Sequence, residues 1–284
     1  MQGFPSIYVF SSKVFYEYYI YNGAYCLLGA ICFAIYIYAD FSSYSDIARG
    51  ISQILGIDVG KNFNNPYLSR SLSEFWNRWH ISLYSWFLEN IYIPLGGSKK
   101  GKLRKYFNIL VVFFISGLWH GANWHFVIWG IINGVLLILG DITYDMRISL
   151  YKKINIFKKH WFVWGQRLIV FALIIFTWIF FAVGCSDAFK YISIISNIRL
   201  EMFFDPDIFT LLGTEVDIYI TIFSTILFIV VQFFRQNKFL LFSKFNNFPV
   251  LVQLLIISIF LSLCILNMLY TGSSVNSQYL YYQF

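Results

Sequence analysis

Two histidines in aromatic surroundings are the side chains of this sequence best suited to acid–base chemistry. His120 follows Trp119 in "GLWHGANWHF" (117–126), and His80 follows Trp79 in "EFWNRWHIS" (74–82). A neutral imidazole accepts a proton near neutral pH, and its cost inside an apolar segment makes it a functional hypothesis. For His120 two interpretations stay open: a functional group that faces a cavity, and a buried ring that only hydrogen-bonds the backbone.

Other sequence signatures narrow the chemistry. No GxSxG elbow, Walker loop or GxGxxG fingerprint occurs, so serine hydrolase, nucleotide and dinucleotide chemistry have no support. His125 follows His120 at i+5 with no carboxylate nearby, which is not the spacing of a helical zinc pair. We therefore predict no metal site and interpret His125 as a packing residue.

Composition predicts the class of fold that must position these side chains. The 284 residues are 58% hydrophobic and only 12% charged, which is far from a soluble domain and predicts an all-α integral membrane protein. A span needs roughly 20 apolar helical residues. We predict spans at 20–39, 161–184, 216–234 and 249–270, and a shorter pair of arms at 106–119 and 125–140.

The charged residues predict the orientation. The net charge of +7 is concentrated in three short loops, at 99–105, 147–159 and 235–244, and the positive-inside rule makes all three cytoplasmic. The charged residues of segment 185–217 are mostly acidic, so we predict that this segment lies outside. Alternation of the spans then places the C-terminus outside as well. Because the basic residues serve topology, we predict no nucleic-acid partner.

The short arms place His120 at the apex of a hairpin, 106–140, that starts and ends in the cytoplasm. Arms of about 14 or 15 residues cover roughly 22 Å, less than the hydrocarbon core. The apex "WHGAN" (119–123) is then expected within the membrane or just short of its outer face. Irregular backbone at that depth is buried in protein or lines a watery cavity, so we predict that His120 faces a cavity.

The segment 71–97 before the hairpin has the periodicity of one amphipathic helix that ends at Pro94. Ser71 and Glu74 predict a capping box, and Glu74 and Arg78 an ion pair at i,i+4. Its polar stripe contains Ser73, Asn77, His80 and Tyr84. Two interpretations stay open: an interfacial helix at the headgroups, and a helix inside the protein whose His80 lines the same cavity.

Five stretches together resemble the membrane-bound O-acyltransferase family, in its bacterial branch of alginate O-acetylation proteins and the D-alanyl transfer protein of teichoic acid synthesis. They are "YADFSSYSDIARG" (38–50), "NFNNPYLSRSLSEFWNRWHISLYSWF" (62–87), "IYIPLGG" (91–97), "GLWHGANW" (117–124) and "SQYLYYQF" (277–284). Relative to that branch, the first motif arrives after only one span. The resemblance therefore implies the C-terminal part of the family's fold.

The resemblance implies one membrane domain over 1–284, a ring of transmembrane and re-entrant helices around a thin partition. It would contain an amphipathic or re-entrant segment at 40–105, the short hairpin at 106–140 and an extracytoplasmic tail at 271–284. The setting implied is the bacterial cytoplasmic membrane. The reaction implied is transfer of an acyl group, acetyl above all, from a cytoplasmic thioester to an extracytoplasmic glycan hydroxyl or partner acetyltransferase. The donor would be acyl-CoA or an acyl carrier protein, with no tightly bound cofactor.

Residue roles also follow from the resemblance. His120 matches the histidine of the family's WHG motif and would be the general base, and His80 matches the histidine of RWHxS as a second catalytic residue. Asn123, Asn77 and Arg78 are expected to bind substrate or the developing oxyanion. Tyr281 matches an aromatic tail suspected of relaying the acyl group, although it also suits an interface anchor. An inactive truncated paralogue or scaffold stays as the alternative, while a transporter does not explain the five motifs.

Overall fold

A computed structural model describes residues 5–156, 159–205, 211, 215–236, 245 and 247–272. Within these residues every regular element is helical, so the predicted all-α class is confirmed. The α-helices are α1 Pro5–Tyr16, α2 Gly23–Ile54, α3 Leu72–Trp76, α4 Ile81–Phe87, α5 Lys102–His120, α6 Trp124–Ile142, α7 Tyr144–Lys153, α8 His160–Ala182, α9 Cys185–Ser196, α10 Glu215–Gln236 and α11 Val250–Gly272. Short 3-10 turns occur at Tyr18–Ile20, Pro66–Leu68 and Leu200–Phe204, and a π turn at Leu88–Tyr92.

Three helices among the described residues, α2, α6 and α8, are long and apolar enough to cross a membrane by length and composition. The chain is therefore a membrane protein. The predicted spans 216–234 and 249–270 fall on α10 and α11.

Helix α2 continues well beyond the predicted span 20–39. The Asn22 side chain caps its start by accepting the backbone N–H groups of Ala24 and Tyr25. The polar stretch after residue 39 stays helical as far as Ile54. Within it the Ser43 hydroxyl donates to the Asp40 carbonyl at 2.9 Å and the Ser52 hydroxyl to the Arg49 carbonyl at 2.8 Å, so both hydroxyls find acceptors in the helix itself. The first part of the segment 40–105 is thus the end of α2.

The hairpin α5–α6 has longer arms than the sequence predicted. Each helix has 19 residues, or about 28 Å. The helical residues beyond the predicted arms include polar side chains at the start of α5 and at the end of α6. Lys105 and Asp141 pair there, with Lys105 Nζ 2.7 Å from Asp141 Oδ1. The predicted arm length of about 22 Å is wrong because it counts apolar residues alone. The observed arm length therefore gives no reason for the apex to stop inside the membrane.

Glycines let the two arms of this hairpin pack backbone to backbone. A Cβ atom on Gly117 would lie 2.4 Å from the Phe126 carbonyl oxygen, and one on Gly130 would lie 2.2 Å from the Phe113 carbonyl oxygen. Both distances are far inside van der Waals contact, so any side chain there would push the helices apart. This close approach fixes where α5 ends relative to α6.

The predicted continuous helix over 71–97 is wrong. Helix α3 ends at Trp76, His80 adopts a left-handed conformation (φ 45°, ψ 56°), and α4 starts at Ile81 and runs into the π turn. The loop around Asn62 causes the break. The Asn64 N–H donates to the Arg78 carbonyl at 3.0 Å, and the Ile81 N–H donates to the Asn62 carbonyl at 2.9 Å. These bonds replace the i→i+4 bonds of a helix, so long-range pairing overrides the local periodicity.

Candidate active site

One cavity of about 60 Å³ brings the two histidines together: both His80 and His120 line it. A single water needs roughly 10–15 Å³, so the space suits a small group of several heavy atoms. Its walls are mainly aromatic and come from α2, α3, α4, α5, α6 and α8, with Phe41, Trp76, Trp79, Phe113, Trp129, Trp178 and Phe181 among them. The polar lining consists of Asp40, His80, Tyr84, Ser116 and His120.

Helix packing positions His120. It is the last residue of α5, and the glycine contacts described above hold that end against α6. Edge-to-face ring contacts then fix the imidazole, with centroids 5.3 Å from Trp129 and 5.0 Å from Phe181. His120 is thus held by three helices, α5, α6 and α8.

A polar network positions His80. Its Nδ1 lies 3.1 Å from Asn62 Oδ1, which also accepts the Ser82 N–H at 3.2 Å and the Ser82 hydroxyl at 2.9 Å. On the other side, the Phe41 ring contacts the imidazole edge to face at 4.7 Å. The His80 ring is therefore oriented by three parts of the chain: the loop that contains Asn62, the start of α4 at Ser82, and helix α2 through Phe41.

The network also fixes the tautomer of His80. A backbone N–H only donates, so the Asn62 atom that receives the Ser82 N–H must be the amide oxygen. Nδ1 of His80 then donates to that oxygen, and Nε2 carries the lone pair. The basic nitrogen of His80 is accordingly the one farther from Asn62 within the ring.

Sequence reasoning missed three residues of this site. Asn62 begins the second quoted motif, Asp40 lies inside the first, and Trp119 contacts both imidazoles, at 6.2 Å from His80 and 4.9 Å from His120. Asp40 had a detectable signal, because a carboxylate in an apolar run is as costly as a histidine there. Asn62 had none, because its partners lie 18 and 20 residues away.

Other residues selected from the sequence do not line the cavity. Asn77 is exposed and donates to the Ser73 carbonyl at 2.8 Å, and Asn123 is the exposed N-cap residue of α6. Arg78 forms the predicted ion pair with Glu74, and this pair is confirmed. The His125 ring contacts the Phe126 ring in a tilted arrangement, with centroids 3.9 Å apart. Tyr281 lies outside the described residues.

Three tryptophans of the wall bury polar atoms. The indole N–H groups of Trp76, Trp129 and Trp178 are inaccessible, and they have no hydrogen-bond acceptor in the described part of the chain. A buried donor without an acceptor costs roughly 1–3 kcal/mol, so such atoms need a reason. Across the described ranges, no group of three or more His, Cys, Asp and Glu side chains is arranged to hold a metal ion.

A comparison with protein families decides what this cavity belongs to. The model described as MBOAT, membrane-bound O-acyltransferase family, matches residues 8–186, more than half of the 284-residue chain. The chain belongs to the membrane-bound O-acyltransferase family. Every residue that lines the cavity lies inside the matched range.

Curated relatives agree with the branch suggested by the motifs. The probable alginate O-acetylase AlgI of Azotobacter vinelandii is 46% identical over 110 residues, which cover 39% of this chain and 22% of that protein. The peptidoglycan O-acetyltransferase of Helicobacter pylori is 44% identical over 108 residues, covering 38% and 20%. The teichoic acid D-alanyltransferase of Bacillus subtilis is 32% identical over 112 residues, covering 37% and 28%. The matched part of this chain spans less than a third of each relative's length.

Proposed function

We propose that the protein is a membrane-bound O-acyltransferase that moves an acyl group from a thioester to a hydroxyl of a cell-envelope polysaccharide. The observation that carries this proposal is the cavity in which His80 and His120 meet, within a member of a family named for this reaction. The names of the relatives, alginate O-acetylase and peptidoglycan O-acetyltransferase among them, support a polysaccharide acceptor.

The proposed chemistry is general-base catalysis. The imidazole of His120 takes the proton of the acceptor hydroxyl while the hydroxyl oxygen attacks the thioester carbonyl. The tetrahedral intermediate collapses, the carbon–sulfur bond breaks, and the thiolate leaves with the proton from His120. No atom beyond donor and acceptor is needed, so the ester and the free thiol are the products.

The oxyanion donors expected from the sequence, Asn77, Arg78 and Asn123, do not line the cavity, whereas His80 does. His80 is accordingly proposed to orient the donor.

The acyl group proposed is small, because a volume of about 60 Å³ suits an acetyl group better than a long chain. The donor is proposed to be acyl-CoA or an acyl carrier protein on the cytoplasmic side, where the basic loops belong by the positive-inside rule. The glycan or a partner acetyltransferase would be met outside, at the cytoplasmic membrane of a bacterium. Tyr281 stays a proposed relay for the acyl group.

The two histidines of "GLWHGANWHF" offer a matched test. We expect His120→Gln to lower the formation of ester-linked acetate on envelope polysaccharide by ~10²–10⁴-fold, since the general base is lost. His125→Gln, two residues beyond the apex and absent from the cavity lining, is expected to leave it nearly unchanged. The measurement is labelled acetate released from polysaccharide by mild base, in cells whose membranes contain equal amounts of each variant. Equal ester contents in wild type and His120→Gln would favour the alternative of a scaffold without activity.

A further inference from the structure

Helix α10 buries polar side chains and exposes apolar ones. Among the side chains of α10 that the structure describes, the two that are buried are Thr221 and Gln232, about three turns apart on one face. Tyr219 and Phe223, by contrast, are exposed. This pattern is typical of a membrane helix that contacts lipid on one side and hydrogen-bonds other parts of the protein on the other.

Gln232 joins α10 to two other parts of the chain. Its side-chain oxygen Oε1 accepts the hydroxyl of Tyr38 in α2 at 2.9 Å. Its backbone carbonyl accepts Nδ2 of Asn65, in the loop before α3, at 3.0 Å. All three residues are buried, so water cannot replace a partner that is lost, and both bonds are costly to break. They hold α10, α2 and the loop together.

Asn65 lies at the end of the loop that orients His80. Three residues before it, Asn62 Oδ1 lies 3.1 Å from His80 Nδ1. Asn65 itself has a left-handed backbone conformation (φ 49°, ψ 58°), which a residue other than glycine keeps only where its surroundings support it. The bond to the Gln232 carbonyl is such a support, because it fixes the Asn65 side chain against α10. The position of Asn62 therefore depends on α10.

A second route reaches the same imidazole through aromatic contacts. The Tyr38 ring contacts Phe63 with centroids 5.7 Å apart, and the Phe63 ring contacts that of His80 at 6.5 Å. Tyr38 also contacts Trp79, the residue before His80, at 5.8 Å. Gln232 fixes the Tyr38 hydroxyl and with it the start of this series of rings. The two routes thus share Gln232 at one end and His80 at the other.

We propose that Gln232 is a positioning residue of the active site, which holds the loop 62–65 and through it the imidazole of His80. Gln232 does not line the cavity, and it lies beyond residues 8–186, the range that the family model matches. A helix outside the matched range thereby completes the orientation of a side chain inside it. The effect on acyl transfer rests on the proposed function, whereas the orientation of the ring does not.

The test follows the tautomer of His80 in the full chain, reconstituted in nanodiscs with nitrogen-15-labelled histidine. At pH 8 an imidazole is neutral, so its two nitrogen signals report which atom carries the proton. Wild type is expected to show the Nδ1–H form alone, and the His80 signals are identified by their absence from His80→Asn. Gln232→Leu keeps a side chain of similar volume and removes the acceptor of the Tyr38 hydroxyl. We expect it to convert the single form into a mixture of the two.

Asn65→Gly is a second, independent variant. Glycine adopts a φ of 49° without strain, so this change removes the Nδ2 donor and leaves the backbone able to keep its conformation. The same mixture of tautomers is expected. The control for Asn65→Gly is Asn155→Gly, at an exposed asparagine with a φ of 51°, and the control for Gln232→Leu is Gln53→Leu, at an exposed position of α2. Both controls are expected to give the wild-type spectrum.

The same variants are then compared for ester-linked acetate on envelope polysaccharide, measured as for His120→Gln. We expect Gln232→Leu to lower it by up to about 10²-fold, as for a catalytic group displaced by about 1 Å. If His120→Gln leaves the ester content unchanged while Gln232→Leu still gives the mixture of tautomers, the proposed function fails and Gln232 still orients His80.

The positioning proposal is wrong if His80 keeps a single tautomer in Gln232→Leu or in Asn65→Gly, or if either control also gives the mixture. It is also wrong if His120→Gln abolishes the ester and Gln232→Leu leaves it unchanged.

Discussion

The two histidines of the cavity are positioned by different physical means. His120 ends a regular helix whose place is set by backbone contact at Gly117 and by aromatic rings. His80 lies in a helix break, in a left-handed conformation, and is oriented by the Asn62 amide. The first arrangement depends on shape and the second on a few hydrogen bonds. The two sides of the cavity are therefore expected to fail under different substitutions.

The largest effect is expected on the side of His120. Gly117→Ala places a methyl group 2.4 Å from the Phe126 carbonyl oxygen, and neither backbone can yield without separating α5 from α6. We expect a loss of about 3 kcal/mol in the free energy of unfolding. Thermal melting in detergent measures it.

Gly140→Ala is the matched control for this prediction, because nothing lies within 4 Å of its added Cβ. It is expected to be neutral or slightly stabilising, since alanine favours a helix by up to about 1 kcal/mol. If both variants melt alike, backbone contact does not hold the hairpin, and the contrast between the two sides disappears.

The side of the cavity that contains His120 could largely be predicted from the sequence. Apolar runs on either side of "WHGAN", together with the basic loops that flank them, predicted a hairpin with His120 at its apex. The arms were underestimated because Lys105 and Asp141, polar residues that an apolar count excludes, pair across the hairpin and extend both helices. Local patterns thus gave the topology, and a contact between distant residues corrected the length.

The side of the cavity that contains His80 could not be predicted from the sequence. Residues 71–87 have helical periodicity, and only the backbone of Asn62 and Asn64 interrupts it. Nothing in the local sequence states that these amides will bond to the Arg78 carbonyl or to Ile81. Arg78 and Asn77, which the resemblance led us to expect at the substrate, do not line the cavity.

The second prediction weakens the side of His80. Asn62→Ala removes the acceptor of the Ser82 N–H, the Ser82 hydroxyl and His80 Nδ1. With the site half-buried, we expect a loss of about 2 kcal/mol in stability. Because the Ser82 hydroxyl, 3.4 Å from Nδ1, can either donate or accept, the tautomer of His80 is then no longer determined by the Asn62 amide. Nitrogen-15 chemical shifts of the imidazole should therefore change from one tautomer to a mixture.

Asn90→Ala serves as control for Asn62→Ala. Its exposed amide donates to the Trp86 carbonyl at 2.9 Å, in a solvent-accessible position of the π turn. It is expected to change stability by less than about 0.5 kcal/mol and to leave the imidazole spectrum intact. An unchanged tautomer in Asn62→Ala would show that the amide does not orient His80.

A third prediction separates the backbone of His80 from its ring. At φ 45° a β-branched residue is strongly disfavoured, whereas asparagine tolerates this conformation. Both His80→Val and His80→Asn remove the imidazole and its contact with Phe41. We expect the valine variant to be about 1 kcal/mol less stable than the asparagine variant in the same melting experiment. Equal stabilities would mean that the turn relaxes to a right-handed conformation once the histidine is gone.

The smallest effect is expected outside the cavity lining, at Asp187 near the start of α9. The Tyr18 hydroxyl donates to its Oδ1 at 2.9 Å, and Lys190 Nζ lies 3.4 Å from the same oxygen. The Tyr18 hydrogen bond, followed by Lys190, lowers the pKa of this carboxyl below its usual range. A carboxyl with a lowered pKa in the folded state stabilises the protein above its unfolded pKa of ~3.9, and this contribution is lost as the pH falls through the folded pKa. Because Asp187 is exposed, this contribution to stability is small.

Asp187→Asn should therefore slightly reduce the loss of melting temperature between pH 6 and pH 3. The effect of Asp187→Asn should be the same in the Asn62→Ala background, since the two networks share no residue. If the effect of Asp187→Asn differs in the Asn62→Ala background, Asp187 is coupled energetically to the hydrogen bonds around His80.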